Sequence, residues 1–224
     1  GAMYFHLEHN NAVINDINAP LMNFYRSVQQ NFGALSEELA GLEAIYNSNR
    51  AAFEAQKQLH PDERVEDANE PLYYHLRDMY NGLIPAEYSD AALYFYINKI
   101  AYSGMIRYNA RGEFNVPYGR YKYFNTGMIT EVHHNLLANT EIHNGDYGQI
   151  FNLAMPEDFI FLDPPYDCIF SDYGNEEYRE GFNEANHRQL AQDYFNLGCR
   201  ALMVIGATPL TRELYGGHII TEYD

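Results

Sequence analysis

The sequence predicts an α/β fold in which a doubly wound parallel sheet carries an all-helical insertion. Two short apolar runs, Phe159–Leu162 and Ala201–Ile205, have the continuous hydrophobicity of strands buried in a parallel sheet. Helical periodicity fills residues 35–96 without a credible strand, which indicates a helical side domain. With 224 residues, of which 46% are hydrophobic, the chain is long enough for such a core and its insertion.

An acid ends the first predicted strand. Residues 12–18 read as a short strand, and a helix is expected directly after it, because Asn18 suits an N-cap and Pro20 suits the first helical turn. Acids at strand tips commonly bind the ribose hydroxyls of a nucleotide-like cofactor. Asp16 is therefore a candidate cofactor ligand, and simple N-capping is the alternative explanation.

Residues 102–122 are rich in glycine, aromatic residues and basic residues. Between Lys99 and Lys122 the chain carries five of its 14 basic residues and one acid, Glu113, although its formal net charge is −17. Three glycines and Pro117 favour a loop or an irregular hairpin. Aromatic residues interleaved with arginine suit contacts with phosphates and base edges. The alternatives are a solvated surface loop and, for Arg107, an ion pair with Glu113.

The apolar run 159–162 leads into Asp163, Pro164, Pro165 and Tyr166. Prolines cannot continue a β-ladder, so the strand must end where the carboxylate begins. Ligands of α/β sheets collect beyond the carboxyl ends of strands, which makes Asp163 a candidate site residue. The alternatives are an N-cap for Asp163 and a core aromatic for Tyr166.

The other predicted elements continue the alternation of strand and helix. We expect, in order, a helix at about 127–137, a strand at 141–143, a substrate-closing loop at 171–182, a helix at 184–197, a short helix at 208–215 and a final strand at 218–221. This order favours a parallel sheet with a nucleotide site at its switch point.

Several other classes of protein are not indicated. No apolar run approaches the about 18 residues of a membrane span. Cys168 and Cys199 form neither a disulfide framework nor a metal-ligand pattern, and His133-His134 has no acid or cysteine at a matching spacing. We therefore expect no membrane, no metal and a reducing cytoplasm as the location.

Three stretches together resemble a known family. Asp163-Pro164-Pro165-Tyr166, the segment from Arg107 to Lys122, and Asn15-Asp16-Ile17-Asn18 resemble, in that order, the catalytic motif, the signature segment and the second cofactor motif of Dam-type (D12 class, α group) DNA adenine-N6 methyltransferases. The resemblance covers nearly the whole chain. It implies a Rossmann-like methyltransferase sheet that depends on S-adenosylmethionine, with a helical DNA-recognition insertion.

The resemblance implies a set of cofactor contacts. Asp16 would bind the ribose of S-adenosylmethionine and Ile17 would pack on its adenine, while Asp146 and Tyr147 fall where the family contacts the same ring. Gly1, followed by Ala2, suits the last glycine of the family's Phe-x-Gly-x-Gly loop, and a cloning remnant is the alternative. Asp163 would also border the cofactor.

The resemblance also implies how the DNA is held. Asp163, the Pro164 carbonyl and Tyr166 would hold a flipped adenine, with Pro164 and Pro165 fixing the backbone. The other implied contacts lie in the recognition segment. They are Tyr102 in the emptied stack, with Ser103 beside it where some members have Asn, Met105 and Pro117 on base edges, Arg107 on a guanine, Asn109 within the signature, and Arg120 and Lys122 on phosphates.

These implications give a domain prediction. Residues 1–33 and 139–224 would form the catalytic core, and residues 34–138 the recognition insertion, with a hairpin near 102–122. The lysine-bearing first motif and the closing strands of the family are not in the sequence, so we expect a chain that lacks both ends of the pattern. The partner would be double-stranded DNA, and a short palindrome such as GATC is the first site to test.

Three questions stay open at this point. A monomer is expected, with a dimer as the alternative. The chain could be an inactive DNA- or cofactor-binding remnant rather than an enzyme, a reading favoured by the missing glycine loop and the charge of −17. It could also methylate RNA or the N4 of cytosine.

Overall fold

The computed structural model describes residues 1–166 and 182–223 and confirms the predicted α/β class. Cys168 and residues 171–181 of the predicted closing loop lie outside the described residues. The chain divides into two compact units, Gly1–Asn144 and Gly145–Asp224. The predicted division into a core of 1–33 and 139–224 and an insertion of 34–138 stays a prediction.

The first unit combines a parallel strand pair with a helical core. Its elements are α1 (Ala2–Leu7), β1 (Ala12–Asp16), α2 (Ala19–Leu59), α3 (Asn69–Tyr80), α4 (Asp90–Ile100), α5 (Glu131–Ala138) and β2 (Thr140–Asn144). β1 and β2 run parallel, with Ala12 opposite Thr140 and Asp16 opposite Asn144. The strand ends that carry Asp16 and Asn144 therefore lie side by side.

Local sequence chemistry accounts for the ends of two helices. The Asn18 side chain accepts a hydrogen bond from the Leu21 amide at 3.1 Å and so caps α2, as expected. One residue inside α2, Asn31, has non-helical dihedral angles (φ −133°, ψ 31°) and marks a kink. Helix α3 ends at Tyr80, where Asn81-Gly82 follows and Gly82 has φ +68°.

The core of the first unit lies between α2, α3 and α4. Helix α4 is apolar on nearly all sides, and its residues are buried together with the inner faces of α2 and α3. The largest fully buried side chains of these helices are Leu39, Leu42, Tyr46, Tyr73, Leu76, Leu93, Tyr96, Ile97 and Ile100. Phe114 and Phe124, from the segment after α4, complete this core.

The second unit holds the other parallel strand pair. Its elements are α6 (Gly148–Leu153), β3 (Phe159–Leu162), α7 (Glu184–Phe195), β4 (Arg200–Met203) and α8 (Pro209–Tyr215). β3 and β4 run parallel, with Leu162 opposite Met203. The Val204 amide also donates to the Leu162 carbonyl at 3.0 Å, so the pairing persists to the residue before Asp163.

Three expectations differ from the structure. The final strand at 218–221 is wrong, since Gly216–His218 forms a 3-10 turn, residues 219–223 are irregular and Ile220 is 85% exposed. The helix expected from about residue 127 begins at Glu131, because Thr130 provides its N-cap. The run 159–162 is also less buried than predicted, since Leu162 is buried but Phe159 is 53% exposed.

Candidate functional site

Gly1 and Asp16 both lie beside the phenol of Tyr25. A Cβ atom added at Gly1 would meet the Tyr25 hydroxyl, so a larger residue there would require the Tyr25 side chain to shift. Burial raises the pKa of Tyr25, and the nearby Asp16 carboxylate raises it further. The structure therefore brings together two of the residues predicted to contact the cofactor. Ala2 opens helix α1 directly behind Gly1.

One oxygen of the Asp16 carboxylate is already engaged. Oδ1 accepts a hydrogen bond from the Asn18 amide at 2.8 Å, which shapes the turn between β1 and α2. The helix cap itself is Asn18, so the N-capping alternative for Asp16 is wrong. The carboxylate has a second oxygen, which is the atom that a ribose hydroxyl would need.

Asn144 holds the backbone beside Asp16. Its side-chain amide donates to the carbonyls of Asp16 at 2.8 Å and of Ile17 at 3.1 Å. This fixes the strand tip at which Asp16 and the half-buried Ile17 sit. Sequence reasoning missed Asn144, although it directly follows the predicted strand 141–143 and the register places it opposite Asp16.

A cavity of about 400 Å³ opens next to this tip. It lies between the first turns of α2 and the last turns of α4, and four of its nine lining residues are aromatic. The lining residues are Leu21, Phe24, Tyr25, Tyr94, Phe95, Asn98, Lys99, Gly104 and Ile106. The pKa of Tyr94 is raised, mainly by burial, with Asp16 as one further cause. The cavity therefore has aromatic walls near the acid at the strand tip.

In the second unit, Asp163 occupies the predicted position. It follows the last residue of β3 and its side chain is exposed, while Pro164 and Pro165 are half-buried. Tyr166 is 40% exposed, and its side chain lies over Gly206, where an added Cβ would stand 3.5 Å from the Tyr166 Cβ. Tyr166 therefore does not lie in the core, and the alternative of a core aromatic residue is wrong.

The loop that carries Gly206 is itself held in place. The Thr211 hydroxyl donates to the Gly206 carbonyl at 2.7 Å, and Thr211 belongs to the first turn of α8. Tyr166 therefore packs against a backbone segment that a hydrogen bond from α8 holds in place. No pattern in the sequence around Gly206 indicates this contact.

Asp146 and Tyr147 border a smaller polar cavity of about 210 Å³. Helix α7 supplies the opposite wall through Asn186, Gln189 and Asp193. The Tyr147 hydroxyl donates to Asp193 Oδ2 at 2.8 Å, and Gln189 Nε2 donates to Asp193 Oδ1 at 2.9 Å. The orientation of Tyr147 is therefore set by a hydrogen-bonded pair on α7.

Residues 102–122, called the recognition hairpin below, form an irregular hairpin. Antiparallel bridges join Ala101 to Tyr118 and Tyr108 to Phe114. Three predicted base-contacting residues stand out from its surface: Tyr102 is 56% exposed, Met105 is 41% exposed and Pro117 is exposed. Ser103, beside Tyr102, adopts the left-handed conformation with φ +57°.

The basic residues of the recognition hairpin have different surroundings. Arg107 is exposed and donates to Asn115, so the alternative of an Arg107–Glu113 ion pair is wrong. Arg120 has φ +56° and pairs with Glu70 at 3.6 Å, and the Lys122 ammonium lies 5.6 Å from the Tyr123 ring centre. The last two contacts are exposed and weak, so both cations are available to phosphates.

Asn109 has an internal role in the tip of the recognition hairpin. Its Oδ1 accepts from the amides of Arg111 at 2.9 Å and Glu113 at 3.0 Å, and its Nδ2 donates to the Glu113 carboxylate. These bonds build the turn around Gly112, which has φ +78°. The contact of Asn109 with DNA stays a prediction.

Side chains from the helices hold the backbone of the recognition hairpin. Asn81 bonds both the amide and the carbonyl of Phe114, and the Tyr73 hydroxyl donates to the Val116 carbonyl at 2.8 Å. The Tyr46 hydroxyl donates to the Tyr121 carbonyl at 2.7 Å. Sequence reasoning missed these residues, because the helical periodicity of residues 35–96 does not show which backbone groups a helix side chain reaches.

Two further findings concern the described part of the chain. Within residues 1–166 and 182–223, no group of three or more His, Cys, Asp or Glu side chains is placed to hold a metal ion. Over the same ranges, no helix is both long and apolar enough to cross a membrane.

Comparison with known proteins completes the assignment. The profile of the family "D12 class N6 adenine-specific DNA methyltransferase" matches residues 1–223. "Type II methyltransferase M.CviBI" of Paramecium bursaria Chlorella virus NC1A is 33% identical, and the match covers 100% of this chain and 76% of that protein. "Type II methyltransferase M.MjaIII" of Methanocaldococcus jannaschii is 30% identical, over 96% of this chain and 73% of that protein.

A third relative carries a different description. "DNA adenine methylase" of Haemophilus influenzae is 25% identical, with 97% of this chain and 71% of that protein covered. The match to the family extends through both strand-end acids, Asp16 and Asp163, and through the recognition hairpin between them. The family and the relatives support an enzyme that methylates adenine in DNA and do not favour an inactive remnant. The chain belongs to the D12 class N6 adenine-specific DNA methyltransferases, as the resemblance predicted.

Proposed function

We propose that this methyltransferase uses S-adenosylmethionine to methylate the N6 amine of an adenine flipped out of double-stranded DNA, at a specific site. The observation that carries the proposal is the end of β3, where exposed Asp163 precedes two prolines and a tyrosine that lies over Gly206. The family supplies the reaction class, the resemblance implies the residue roles below, and the geometry of the described residues supports them.

Asp163 would act on the reactivity of the amine. The lone pair of an exocyclic adenine amine is delocalised into the ring, which makes it a poor nucleophile. Two acceptors aimed at its N–H groups, the Asp163 carboxylate and the Pro164 carbonyl, favour a pyramidal nitrogen whose lone pair is available. The prolines restrict the backbone, so both acceptors are in place before the base arrives.

Tyr166 would orient the adenine. Its ring is partly exposed and supported by the Gly206 backbone, which leaves an aromatic face on which a base can stack. A base held in line with the methyl donor gains the rate advantage of proximity and orientation. The base must first leave the duplex, at a cost of a few kcal/mol.

The residues of the first unit fit the proposed methyl donor. Bound S-adenosylmethionine would supply an electrophilic methyl group attached to a sulfonium. Asp16 has one carboxylate oxygen bonded to the Asn18 amide and a second that could bind a ribose hydroxyl, and Gly1 lies close to Tyr25 in the same unit. Ile17 would contact the adenine ring of the methyl donor, and the resemblance implies the same contact for Asp146 and Tyr147 of the second unit.

Replacement of Asp163 tests the catalytic role. We expect Asp163→Asn and Asp163→Ala to lower the rate of methyl transfer about 10²- to 10³-fold, as for removal of one preorganised electrostatic group. The measurement is the N6-methyladenine content of duplexes, determined by mass spectrometry of the nucleosides. Asp158→Asn, at the other end of β3, is a matched control because Asp158 is exposed and accepts only a local amide from Met155. Near-normal transfer by both Asp163 variants would exclude the role.

Replacement of Asp16 tests the methyl-donor site separately. Asp16→Asn keeps an oxygen for the Asn18 amide but loses the second acceptor, so the turn persists while the ribose contact is lost. We expect S-adenosylmethionine to bind about tenfold more weakly by calorimetry, the effect of one charge-assisted hydrogen bond. Asp62→Asn, in an exposed loop, serves as the control. Unchanged binding would remove Asp16 from the site.

The recognition hairpin would read the DNA. Arg107 is proposed to contact a guanine, and Arg120 and Lys122 to contact phosphates. Arg107→Ala should relax discrimination at one base pair by about 1–3 kcal/mol, whereas Arg120→Ala should weaken binding to all duplexes alike and lower the salt dependence by about one unit of slope. Duplexes with single changes in GATC are the first panel. Equal effects of both variants on every duplex would exclude base reading by Arg107.

A further inference from the structure

Arg107 is fastened to Asn115 on the opposite arm of the recognition hairpin. Its Nε donates to Asn115 Oδ1 at 2.8 Å, and its Nη2 donates to the Asn115 carbonyl at 3.2 Å. The Asn115 amide in turn donates to the Arg107 carbonyl at 3.0 Å. One asparagine therefore holds both the backbone and the guanidinium of the same arginine.

This arrangement decides which donors of the guanidinium are left for DNA. A guanidinium has five N–H donors in a rigid plane. Asn115 takes the Nε–H and one Nη2–H, which together form the lateral edge of that plane. The terminal edge, with one N–H each on Nη1 and Nη2, stays available. Such a pair of parallel donors matches the O6 and N7 acceptors of guanine in the major groove.

Side chains from the helices anchor the backbone of the recognition hairpin on either side of Asn115. Its two neighbours, Phe114 and Val116, are buried, and the helices satisfy their backbone through Asn81 and Tyr73. Because side chains alternate along an extended strand, Asn115 points away from the core between these anchors. Its side-chain oxygen serves Arg107 rather than the core.

The nearby acid does not compete for the arginine. The Glu113 carboxylate accepts from Asn109 Nδ2 at 2.7 Å, within the tip of the recognition hairpin. Asn115 is neutral, so it orients the guanidinium without neutralising its charge. A neutral acceptor leaves Arg107 attractive to DNA while it restricts the rotamers of a long side chain.

We propose that Asn115 is a positioning residue for base discrimination: it presents the terminal Nη1–Nη2 edge of Arg107 to a guanine before DNA binds. The proposal rests on the proposed function, in which Arg107 reads a base. A preorganised arginine loses less conformational freedom on binding, so removal of Asn115 should reduce discrimination at the base pair that Arg107 contacts and at no other.

The test compares discrimination rather than activity alone. For each variant, kcat/KM for methylation is measured on the preferred duplex and on duplexes changed at single base pairs. Asn115→Ala should lower the preference at the Arg107 base pair about three- to tenfold, the effect of one hydrogen bond, with other pairs unaffected. Asn115→Asp keeps the acceptor and should retain the preference at that pair, although its charge weakens binding to all duplexes.

A double variant separates positioning from a merely structural role. If Asn115 acts through Arg107, then Arg107→Ala combined with Asn115→Ala should discriminate no worse than Arg107→Ala alone. Asn23→Leu is the matched control, because Asn23 Oδ1 also accepts from an arginine, Arg26, at 3.2 Å on the exposed side of α2. Its preference at every base pair should be unchanged. Circular dichroism and Tm confirm that each variant folds, and Asn115→Leu, of similar volume, replaces the alanine variant if that one does not.

The outcomes distinguish this inference from the proposed function. Two results would show that Asn115 does not position Arg107 while base reading by Arg107 stands. In the first, Arg107→Ala reduces discrimination at one base pair and Asn115→Ala reduces it at none. In the second, the losses of discrimination caused by the two substitutions multiply in the double variant. If Arg107→Ala itself leaves every preference unchanged, base reading by Arg107 is excluded and the role of Asn115 with it.

Discussion

The side-chain amide of Asn81 brackets the backbone of Phe114, with Nδ2 donating to its carbonyl at 3.0 Å and Oδ1 accepting from its amide at 2.8 Å. Phe114 is 1% exposed, so its backbone groups have little access to water. Asn81→Asp keeps the acceptor but loses the donor, and we expect the free energy of unfolding to fall by about 1–3 kcal/mol. Urea titration measures the change. Asn139→Asp, at an exposed helix end, should lower the free energy of unfolding by less. Equal losses would contradict a stabilising role for the hydrogen bonds between Asn81 and Phe114.

Two buried tyrosines should respond oppositely to loss of the hydroxyl. Tyr73 donates to the Val116 carbonyl, so Tyr73→Phe leaves a buried acceptor unpaired and should cost about 1–3 kcal/mol of unfolding free energy. The Tyr96 hydroxyl is buried and has no hydrogen-bond partner within residues 1–166 and 182–223. Tyr96→Phe should leave stability unchanged or raise it, because a buried polar group without a partner is removed. Thermal unfolding of both variants provides the comparison, and a large loss in Tyr96→Phe would reveal a partner.

Stability should fall in alkali because tyrosine pKa values are raised in the folded state. Burial, with the neighbouring Tyr194 as a second cause, raises the pKa of Tyr215 to about 12, from an ordinary value of 10.0. Below pH 10 the Tyr215 phenol is protonated in both the folded and the unfolded state, so its ionisation does not lower the free energy of unfolding. Between pH 10 and 12 the unfolded state releases the proton first, so each unit of pH removes about 1.4 kcal/mol for this group.

Urea titrations between pH 8 and pH 12 test this linkage. Tyr215→Phe should flatten the decline above pH 10, whereas Tyr223→Phe, at a side chain that is 91% exposed, should not. Burial also raises the pKa values of Tyr73, Tyr80, Tyr94, Tyr96 and Tyr118 in the first unit, so part of the decline should remain in Tyr215→Phe. A decline of identical slope in both variants would contradict the assignment to Tyr215.

The contact between Tyr166 and Gly206 predicts a dependence of activity on side-chain size. An alanine Cβ at position 206 would stand 3.5 Å from Tyr166, an ordinary packing distance, so Gly206→Ala should retain near-normal methyl transfer. Gly206→Leu should displace the ring and lower kcat by up to about 10²-fold, since misplacement by about 1 Å has effects of that size. Gly198→Leu is the control, because a Cβ at Gly198 meets no atom within 4 Å. Normal kcat in Gly206→Leu would show that Tyr166 is not supported there.

Periodicity predicted the helices well, and four of the five predicted strands form, but the fifth, at residues 218–221, does not. The apolar faces of α2, α3, α4 and α7 repeat with the helical period, and helix ends at Asn18, Ser89 and Tyr80 follow local capping and turn chemistry. A strand, by contrast, exists only where another strand offers its backbone. Residues 218–221 have strand-like composition, but the irregular, exposed Ile219 and Ile220 show that composition alone does not form a ladder.

Acids were easier to predict as site residues than asparagines. Asp16 is the last residue of β1 and Asp163 directly follows β3, and a strand end is visible in a sequence. Asn81 and Asn144 act on backbone groups that are 33 and 128 residues away, so no local pattern reveals them. Isolated asparagines in such places read as turn residues, and only the tertiary structure shows which carbonyl each amide reaches.

The way in which helix side chains hold the recognition hairpin limits its use as a portable part. Residues 102–122 obtain donors for the Phe114 and Val116 carbonyls from Asn81 and Tyr73, not from a neighbouring strand. A chimera that received only this hairpin would bury those carbonyls without donors, at about 1–3 kcal/mol each. The smallest unit that can carry this surface to another protein is therefore the hairpin together with α2, α3 and α4.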